Sequence, residues 1–470
     1  MVSYLSTRGG DKNLGFAEVL LSGLARDGGL FMPDAWPQIS PEEIAGYAAK
    51  PFAEVAFDLA RRFVDGAIDD ATLEQMTQTA YSRFDHAAVA PLRELAPNQW
   101  LLELYHGPTL AFKDIAMQFL GVLMDHVLKH QGRRATIVGA TSGDTGSAAI
   151  EAFRGLETVD VFILHPHGRV SEVQRRQMTT VTDDNIHNIA LDGTFDDAQA
   201  IVKGLFNDLG LRDRIGLAGV NSINWARVMA QMTYYFTSAA ELGAPARQVS
   251  FTVPTGNFGD ILAGYGAKRM GLPVDRLVIA TNINDILART LETGVYEVTQ
   301  VVATASPSMD IQVSSNFERL LFDASNRDSA WVTAAMESLK QSGRFELTPQ
   351  VLKQICKDFD AGRADEAQVS EIMARIYKTT GVMVDPHTAV GLSVAEQIIG
   401  TSPMITLATA HPAKFPQAVE AATGVHPELP AHLSDLFERP EQFEVIENDQ
   451  SAIASYIENN LAKIGKGART

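Results

Sequence analysis

Five stretches of this sequence combine residue types that can do chemistry. The first is His106-Gly107-Pro108-Thr109-Leu110-Ala111-Phe112-Lys113-Asp114, a Gly-Pro turn with a lysine where an apolar helix begins. That helix carries Ile115, Ala116, Phe119, Leu120, Leu123, Met124, Val127 and Leu128, so it is apolar over much of its circumference and expected to be buried. Burial disfavours an ammonium, and so does the positive end of a helix dipole. Both effects lower a lysine's pKa, as a nucleophilic or Schiff-base lysine requires. The plainer alternative is a lysine whose stem packs while its head reaches solvent or pairs with Asp114.

Two further stretches share one design. Thr141-Ser142-Gly143-Asp144-Thr145-Gly146 lies between a β-rich run and a small-residue helix, and Gly256-Asn257-Phe258-Gly259-Asp260 follows the run Phe251-Thr252-Val253. Glycines let a backbone turn sharply and approach a ligand closely. A helix start then offers N–H groups and a positive dipole end to an anion. The hydroxyls of Thr141, Ser142 and Thr145 add donors to the first, and the second suits a phosphate. Neither is a Walker A loop or a GxGxxG fingerprint. An ordinary capped strand-to-helix turn is the competing reading of each.

The fourth stretch, Thr406-Leu407-Ala408-Thr409-Ala410-His411-Pro412-Ala413-Lys414, ends a buried strand in a hydroxyl, a histidine and a lysine. Ligands bind at strand ends in open α/β sheets. The fifth, Asn221-Ser222-Ile223-Asn224-Trp225-Ala226-Arg227, is a polar run opening a helix over 228–240. Asx-turn and N-cap roles are open to both of its asparagines.

These stretches need elements to position them. Ala135–Ala140, Val159–His165, Ser250–Val253, Leu277–Asn282 and Met404–Ala408 are short β-rich runs followed by turn clusters or helical patterns. Strands alternating with helices predict parallel sheets, in two blocks near 131–244 and 245–430. The first hundred residues are mainly helical, with a capping box at Ser40-Pro41-Glu42-Glu43 and a helix opening at Asp69 or Asp70. Pro91, Pro97 and Asn98 then break the pattern. Residues 323–380 are again helical, with one helix starting at Thr348-Pro349.

Composition narrows the class. The chain has 470 residues, enough to bury a large core without disulfides or metals. Acidic residues number 57 against 39 basic, a formal charge of −18, which disfavours nucleic-acid and anionic-membrane partners. The single cysteine, Cys356, excludes an intrachain disulfide and Cys-rich zinc or redox motifs. Its spacing with Val351, Leu352, Ile355 and Phe359 predicts a core position on one helical face. No stretch reaches the ~18 apolar residues of a membrane span, and Met1–Asn13 has no signal-like pattern. A reduced, soluble, cytoplasmic protein is expected, and no HExxH metal motif is present.

Taken together and in order, the stretches resemble the threonine synthase family in its long bacterial and fungal form, pyridoxal-phosphate enzymes of fold type II. The likeness begins at Tyr4-Leu5-Ser6-Thr7-Arg8-Gly9 and Gly23-Leu24-Ala25-Arg26-Asp27-Gly28-Gly29-Leu30. It continues through the lysine, TSGDTG and GNFGD stretches, Asp385-Pro386-His387-Thr388-Ala389 and Thr409–Phe415. Residues 300–380 carry no motif.

The resemblance implies two open, mostly parallel sheets flanked by helices, with an N-terminal mainly helical domain over 1–97. It implies a large cofactor-binding domain from 98–130 and 245–470, with a helical insertion at 323–380, and a smaller mobile α/β domain over 131–244. The implied reaction is a carbon–oxygen lyase reaction: O-phospho-L-homoserine and water give L-threonine and phosphate, with pyridoxal 5′-phosphate as cofactor. Lys113 would be the catalytic, cofactor-bonding lysine. Gly256, Asn257, Phe258, Gly259 and Asp260 would cradle the cofactor phosphate, with Asp144 beside the ring and Thr409 on its nitrogen. Thr141, Ser142 and Thr145 would meet the substrate carboxylate. Arg227 and Lys414, with Asn221 or Asn224, are the candidates for the substrate phosphate. Many fold relatives carry asparagine where this chain has Asp144, and a carboxylate beside a phenolate needs a shared proton or a cation. The expected partner is a small molecule, in a monomer or homodimer. A serine/threonine dehydratase or a phospho-lyase of the same fold is the nearest alternative.

Overall fold

The computed structural model describes residues 2–398 and 400–467, apart from the side chains of 462–467. Contacts divide the chain into two units: Met1–Ala116 with Ser222–Glu428, and Met117–Asn221 with Leu429–Thr470.

The first unit is built on a six-stranded sheet, ordered Phe359–Arg363, Val274–Thr281, Val249–Pro254, Met404–Ala408, Gln99–Glu103 and Leu92–Ala96. All neighbours run parallel except the last pair, an antiparallel hairpin. Every residue of Val249–Pro254 is buried, as expected of a central parallel strand covered on both faces. Helices Glu366–Thr380 and Pro386–Ala395 pack Val369, Ile372, Met373, Val390 and Val394 against Val278, Ala280 and Ala408 of the strands. Helix Trp225–Glu241 packs against the Gly259–Arg269 and Phe52–Val64 helices.

The N-terminal helices start where the sequence signals them. Ser40 accepts from the Glu43 N–H while Glu43 caps the Ser40 N–H, and Asp69 caps the next helix through Thr72. A two-stranded sheet of Tyr4–Ser6 and Phe31–Pro33 precedes them.

The second unit holds a wholly parallel five-stranded sheet, ordered Glu444–Glu447, Ile186–Asp192, Val159–Pro166, Ala135–Ala140 and Leu217–Ala218. Its core joins Val138, Phe162, Leu164 and Ile189 to Ile201 and Leu205 of helix Phe195–Asn207 and to Ile453 and Ile457.

The expected α/β class with mostly parallel sheets is therefore observed, with four local differences. Pro97 and Asn98 make the turn of a hairpin rather than a boundary, Asn98 taking φ +61°. The segment read as a helical insertion also supplies the edge strand Phe359–Arg363 of the large sheet. Residues 429–470 group with the second unit because Glu444–Glu447 extends its sheet beside Ile186–Asp192, whereas 222–244 group with the first. Cys356 is exposed, not core: the helix ends at Ile355, so Val351 and Ile355 of the expected face are buried from the helix and Phe359 from the strand that follows.

Among the described residues, no helix is long and apolar enough to cross a membrane. Among them, no group of three or more His, Cys, Asp and Glu could hold a metal ion.

Candidate active site

Three of the motif-bearing stretches of the first unit emerge from the carboxyl ends of neighbouring parallel strands. Gly256–Asp260 follows Val249–Pro254, Thr409 follows Met404–Ala408, and the Lys113 stretch follows Gln99–Glu103. This is the edge of an open α/β sheet where ligands bind.

Lys113 heads helix Lys113–Gln131 and is half-buried, its ammonium 5.8 Å from the Phe112 ring centre. The loop before it is tightly held. Leu110 takes φ +62°, a left-handed conformation that costs a non-glycine residue energy and persists only under constraint. The constraint is visible. The Asp114 carboxylate, wholly buried, accepts the Thr109 N–H at 2.8 Å and the Thr109 hydroxyl at 2.6 Å. The Phe112 N–H donates to the Thr409 carbonyl and the His411 N–H to the Leu110 carbonyl. Lys113 is thus locked beside Thr409 by main-chain bonds. Asp114 serves the loop through both of its oxygens.

Lys414 completes this lock. It is 0% exposed, and its ammonium donates to the Thr109 carbonyl at 2.6 Å. The sequence expectation placed it on a substrate phosphate. The structure shows one of its three donors on a carbonyl beneath the lysine loop. His411 caps the turn by accepting the Ala413 N–H, and burial lowers its pKa to about 4, so the ring is neutral.

The Gly256–Asp260 turn is the clearest anion cradle. Phe258 sits at φ +64° as the N-cap of helix Gly259–Arg269, and its ring packs against Phe317 and Phe359. A Cβ on Gly256 would lie 2.6 Å from the Ser308 carbonyl oxygen, so only glycine fits. The first N–H groups of the helix have no acceptor within it. Asp260 faces away from water: its Oδ1 accepts from Tyr234 at 2.5 Å and Tyr235 at 2.9 Å. Burial pushes its carboxyl up to about 7, against the two hydroxyls, which lower it.

Helix Trp225–Glu241 supplies the remaining first-unit candidates. Asn224 is its N-cap, accepting the Ala226 N–H and donating to the Leu20 carbonyl, so the structural option left open by the sequence holds for it. Asn221 is exposed. Arg227 is 3% exposed, and burial lowers its guanidinium to about 10, still protonated near neutral pH.

In the second unit the Thr141–Gly146 turn opens helix Asp144–Phe153. Thr141 is buried and its hydroxyl oxygen accepts the Gly143 and Gly146 N–H groups, each at 2.9 Å, while Ser142 and Thr145 are half-exposed. Asp144 is 5% exposed, and Gln174 donates to its Oδ1 at 2.8 Å. The carboxylate beside which a partner was sought thus has an amide donor, reached from a helix thirty residues downstream.

Sequence reasoning missed the side chains behind the cradle. Ser314 donates to the Gly256 carbonyl at 2.6 Å, and Asn316 donates to the Asn257 carbonyl from both its main-chain N–H and its Nδ2, at 3.0 Å each. Both lie in the stretch without motifs.

The residues present fit pyridoxal phosphate. A lysine, a glycine-only anion cradle at a helix start, and a hydroxyl residue next to the lysine loop stand at one sheet edge.

Comparison with known proteins agrees. A family model described as "Pyridoxal-phosphate dependent enzyme" matches residues 84–404. Models described as "Threonine synthase N terminus" and "Threonine synthase, C-terminal" match 3–81 and 388–457. A threonine synthase of Pseudomonas aeruginosa is 52% identical over 97% of both chains. The crystal structure of a threonine synthase from Brucella melitensis with pyridoxal phosphate bound is 55% identical, with a TM-score of 0.96 over 98% of this chain and 99% of that one. The yeast threonine synthase structure is 41% identical, with a TM-score of 0.93 over the same shares. The chain belongs to the threonine synthase family of pyridoxal-phosphate-dependent enzymes.

Proposed function

We propose that this chain converts O-phospho-L-homoserine and water to L-threonine and phosphate, with the residue roles that follow. The observation that carries the roles is the lock that sets Lys113 beside Thr409 at the sheet edge that also bears the Gly256–Asp260 cradle. When bound, the cofactor supplies an electron sink that stabilises negative charge at the substrate's Cα and Cβ.

Lys113 would hold the cofactor through Nζ and, when free, would move protons. It would take the Cα proton and then a Cβ proton as the Cγ–O bond to phosphate breaks. Cγ would gain a proton, water would add its hydroxyl at Cβ with its other proton going to the released phosphate, and Lys113 would return a proton to Cα. Positioned proton transfer of this kind contributes about 10²- to 10⁴-fold. The N–H groups at the Gly256–Asp260 helix start receive the cofactor phosphate. Thr409 partners the ring nitrogen with a hydroxyl, which leaves that nitrogen less protonated than an aspartate would. Thr141, Ser142 and Thr145 receive the substrate carboxylate, with Asp144 held by Gln174. Arg227 and Lys414, with Asn221 or Asn224, are the candidates for the substrate phosphate, and Lys414 also supports the lysine loop through the Thr109 carbonyl.

The test is an assay of purified protein with pyridoxal phosphate and O-phospho-L-homoserine. Threonine and phosphate released in equal amounts support the reading. Turnover of unphosphorylated serine to a keto acid, with none of phosphohomoserine, would replace it with a dehydratase. Arg227→Ala sharpens the choice: it should lower activity on phosphohomoserine by about 10²-fold, as expected for losing a charged contact of 2–3 kcal/mol.

A further inference from the structure

The stretch 306–319 has no motif, yet it reaches the cradle from behind at several points. Ser314 Oγ donates to the Gly256 carbonyl, and Asn316 donates twice to the Asn257 carbonyl. The Ser308 carbonyl closes the space beside Gly256.

The peptide group explains why this matters. It is planar and trans, so a C=O and the N–H of the next residue point in opposite directions from one rigid plate. The Gly256 carbonyl shares its plate with the Asn257 N–H. The Asn257 carbonyl shares its plate with the Phe258 N–H. Holding the two oxygens therefore aims the two N–H groups. We propose that Ser314 and Asn316 are positioning residues that aim the Asn257 and Phe258 N–H groups at the cofactor phosphate. This rests on the reading of Gly256–Asp260 as the phosphate cradle.

The aiming residues are themselves anchored. Asn316 Nδ2 also donates to the Ser222 carbonyl at 3.1 Å. Its Oδ1 accepts from Arg319, whose guanidinium is 0% exposed and donates further to the Phe31 carbonyl at 2.9 Å and the Ile223 carbonyl at 2.7 Å. Glu318 takes the Thr7 hydroxyl at 2.6 Å and a two-point contact from Arg8. The Ser314 N–H donates to the Tyr296 hydroxyl at 2.8 Å. On the other flank the Ser308 N–H donates to His387 Nε2, and His387 Nδ1 lies 2.7 Å from Asp385. With Nε2 accepting, Nδ1 carries the proton and Asp385 fixes that tautomer. The Thr7-Arg8 and Asp385–His387 motifs thus both end on the backing of the cradle. A plate with a free oxygen could rotate, and each misdirected N–H would lose a charge-assisted bond.

The test strips the holoenzyme of cofactor and titrates it with pyridoxal phosphate and, separately, with pyridoxal. The two differ in the group the aimed N–H groups would hold. Ser314→Ala and Asn316→Ala are compared with wild type and with Ser314→Thr, which keeps the hydroxyl. The expected result is at least tenfold weaker pyridoxal phosphate binding in both alanine variants, pyridoxal binding within twofold of wild type, and recovery in Ser314→Thr. Equal losses for both ligands, or no loss for pyridoxal phosphate, would overturn the proposal. Should Asn316→Ala fail to fold because Arg319 loses its acceptor, Ser314→Ala alone decides. Wild type that binds neither ligand would overturn the functional reading itself, an outcome distinct from unequal variants.

Discussion

Two turns of this molecule look alike in sequence and are built differently. Thr141–Gly146 and Gly256–Asp260 each carry a strand into a helix through glycines, and each places an aspartate within the helix's first turn. The first braces itself: Thr141 accepts two N–H groups of its own loop. The second is braced from outside, by Ser314 and Asn316 some sixty residues downstream. The aspartates diverge as well. Asp144 receives a neutral amide donor, whereas Asp260 is turned onto two tyrosines and its carboxyl is pushed up to about 7 by burial. A self-braced turn keeps its shape whatever its surroundings do. An externally braced turn is as rigid as the body that holds it, which suits a permanently held cofactor phosphate.

The comparison assigns covalent chemistry to neither turn, so the largest effect should come from outside both. Lys113→Ala should lower turnover at least about 10⁴-fold, the upper end of what positioned proton transfer contributes. It should also remove the visible absorbance that borohydride bleaches in wild type. Near-normal turnover in that variant would break the scheme.

Damage to the externally braced turn should come next. Gly256→Ala puts a Cβ 2.6 Å from a backbone oxygen that cannot swing aside. Overpacking of this kind costs about 1–3 kcal/mol, so pyridoxal phosphate affinity should fall about 10- to 100-fold in an equilibrium titration. Unchanged affinity would mean that the turn does not hold the phosphate.

The self-braced turn should respond in substrate terms. Thr141→Val keeps the shape and removes the acceptor of two N–H groups, about 1 kcal/mol each. kcat/KM for phosphohomoserine should fall about tenfold or somewhat more with cofactor affinity unchanged. A loss of cofactor affinity instead would erase the distinction between the turns.

The smallest effect concerns the two aspartates. The folded-state pKa of Asp260, about 7, lies above its ordinary value near 4, so the folded state binds more protons between those limits. Its contribution to stability is present below about pH 4 and is lost as pH rises to about 7. In cofactor-free protein, Asp260→Asn should therefore gain in Tm relative to wild type from pH 4 to 7, and the gap should level off above 7. A gap independent of pH would show that Asp260 is ionised throughout that range.

The sheets, the lysine helix and both turns were legible because each leaves a local signal. Met404–Ala408 and Ala135–Ala140 are apolar runs ending in small or polar residues, and the lysine helix has its periodicity. The bracing was not legible. Ser314 and Asn316 act by side-chain bonds to carbonyls, and a lone serine or asparagine in a loop carries no periodic or compositional mark. The carbonyl contact of Lys414 was hidden for a related reason: its type suggested an anion, and only the fold shows that its head also reaches the Thr109 carbonyl. Phe359–Arg363 falls within the stretch read as helical, and becomes a strand because Val274–Thr281 offers it an edge. Glu444–Glu447 is mostly exposed, so it lacked the apolar signature of the other strands.

The account stands most directly on where the water oxygen goes. Purified protein with pyridoxal phosphate would convert O-phospho-L-homoserine in heavy-oxygen water, and both products would be analysed by mass. The account predicts the label in the hydroxyl of threonine and none in the released phosphate, because the Cγ–O bond breaks and water enters at Cβ. Label in the phosphate, with homoserine as the other product, would contradict it and make the chain a phosphate-ester hydrolase.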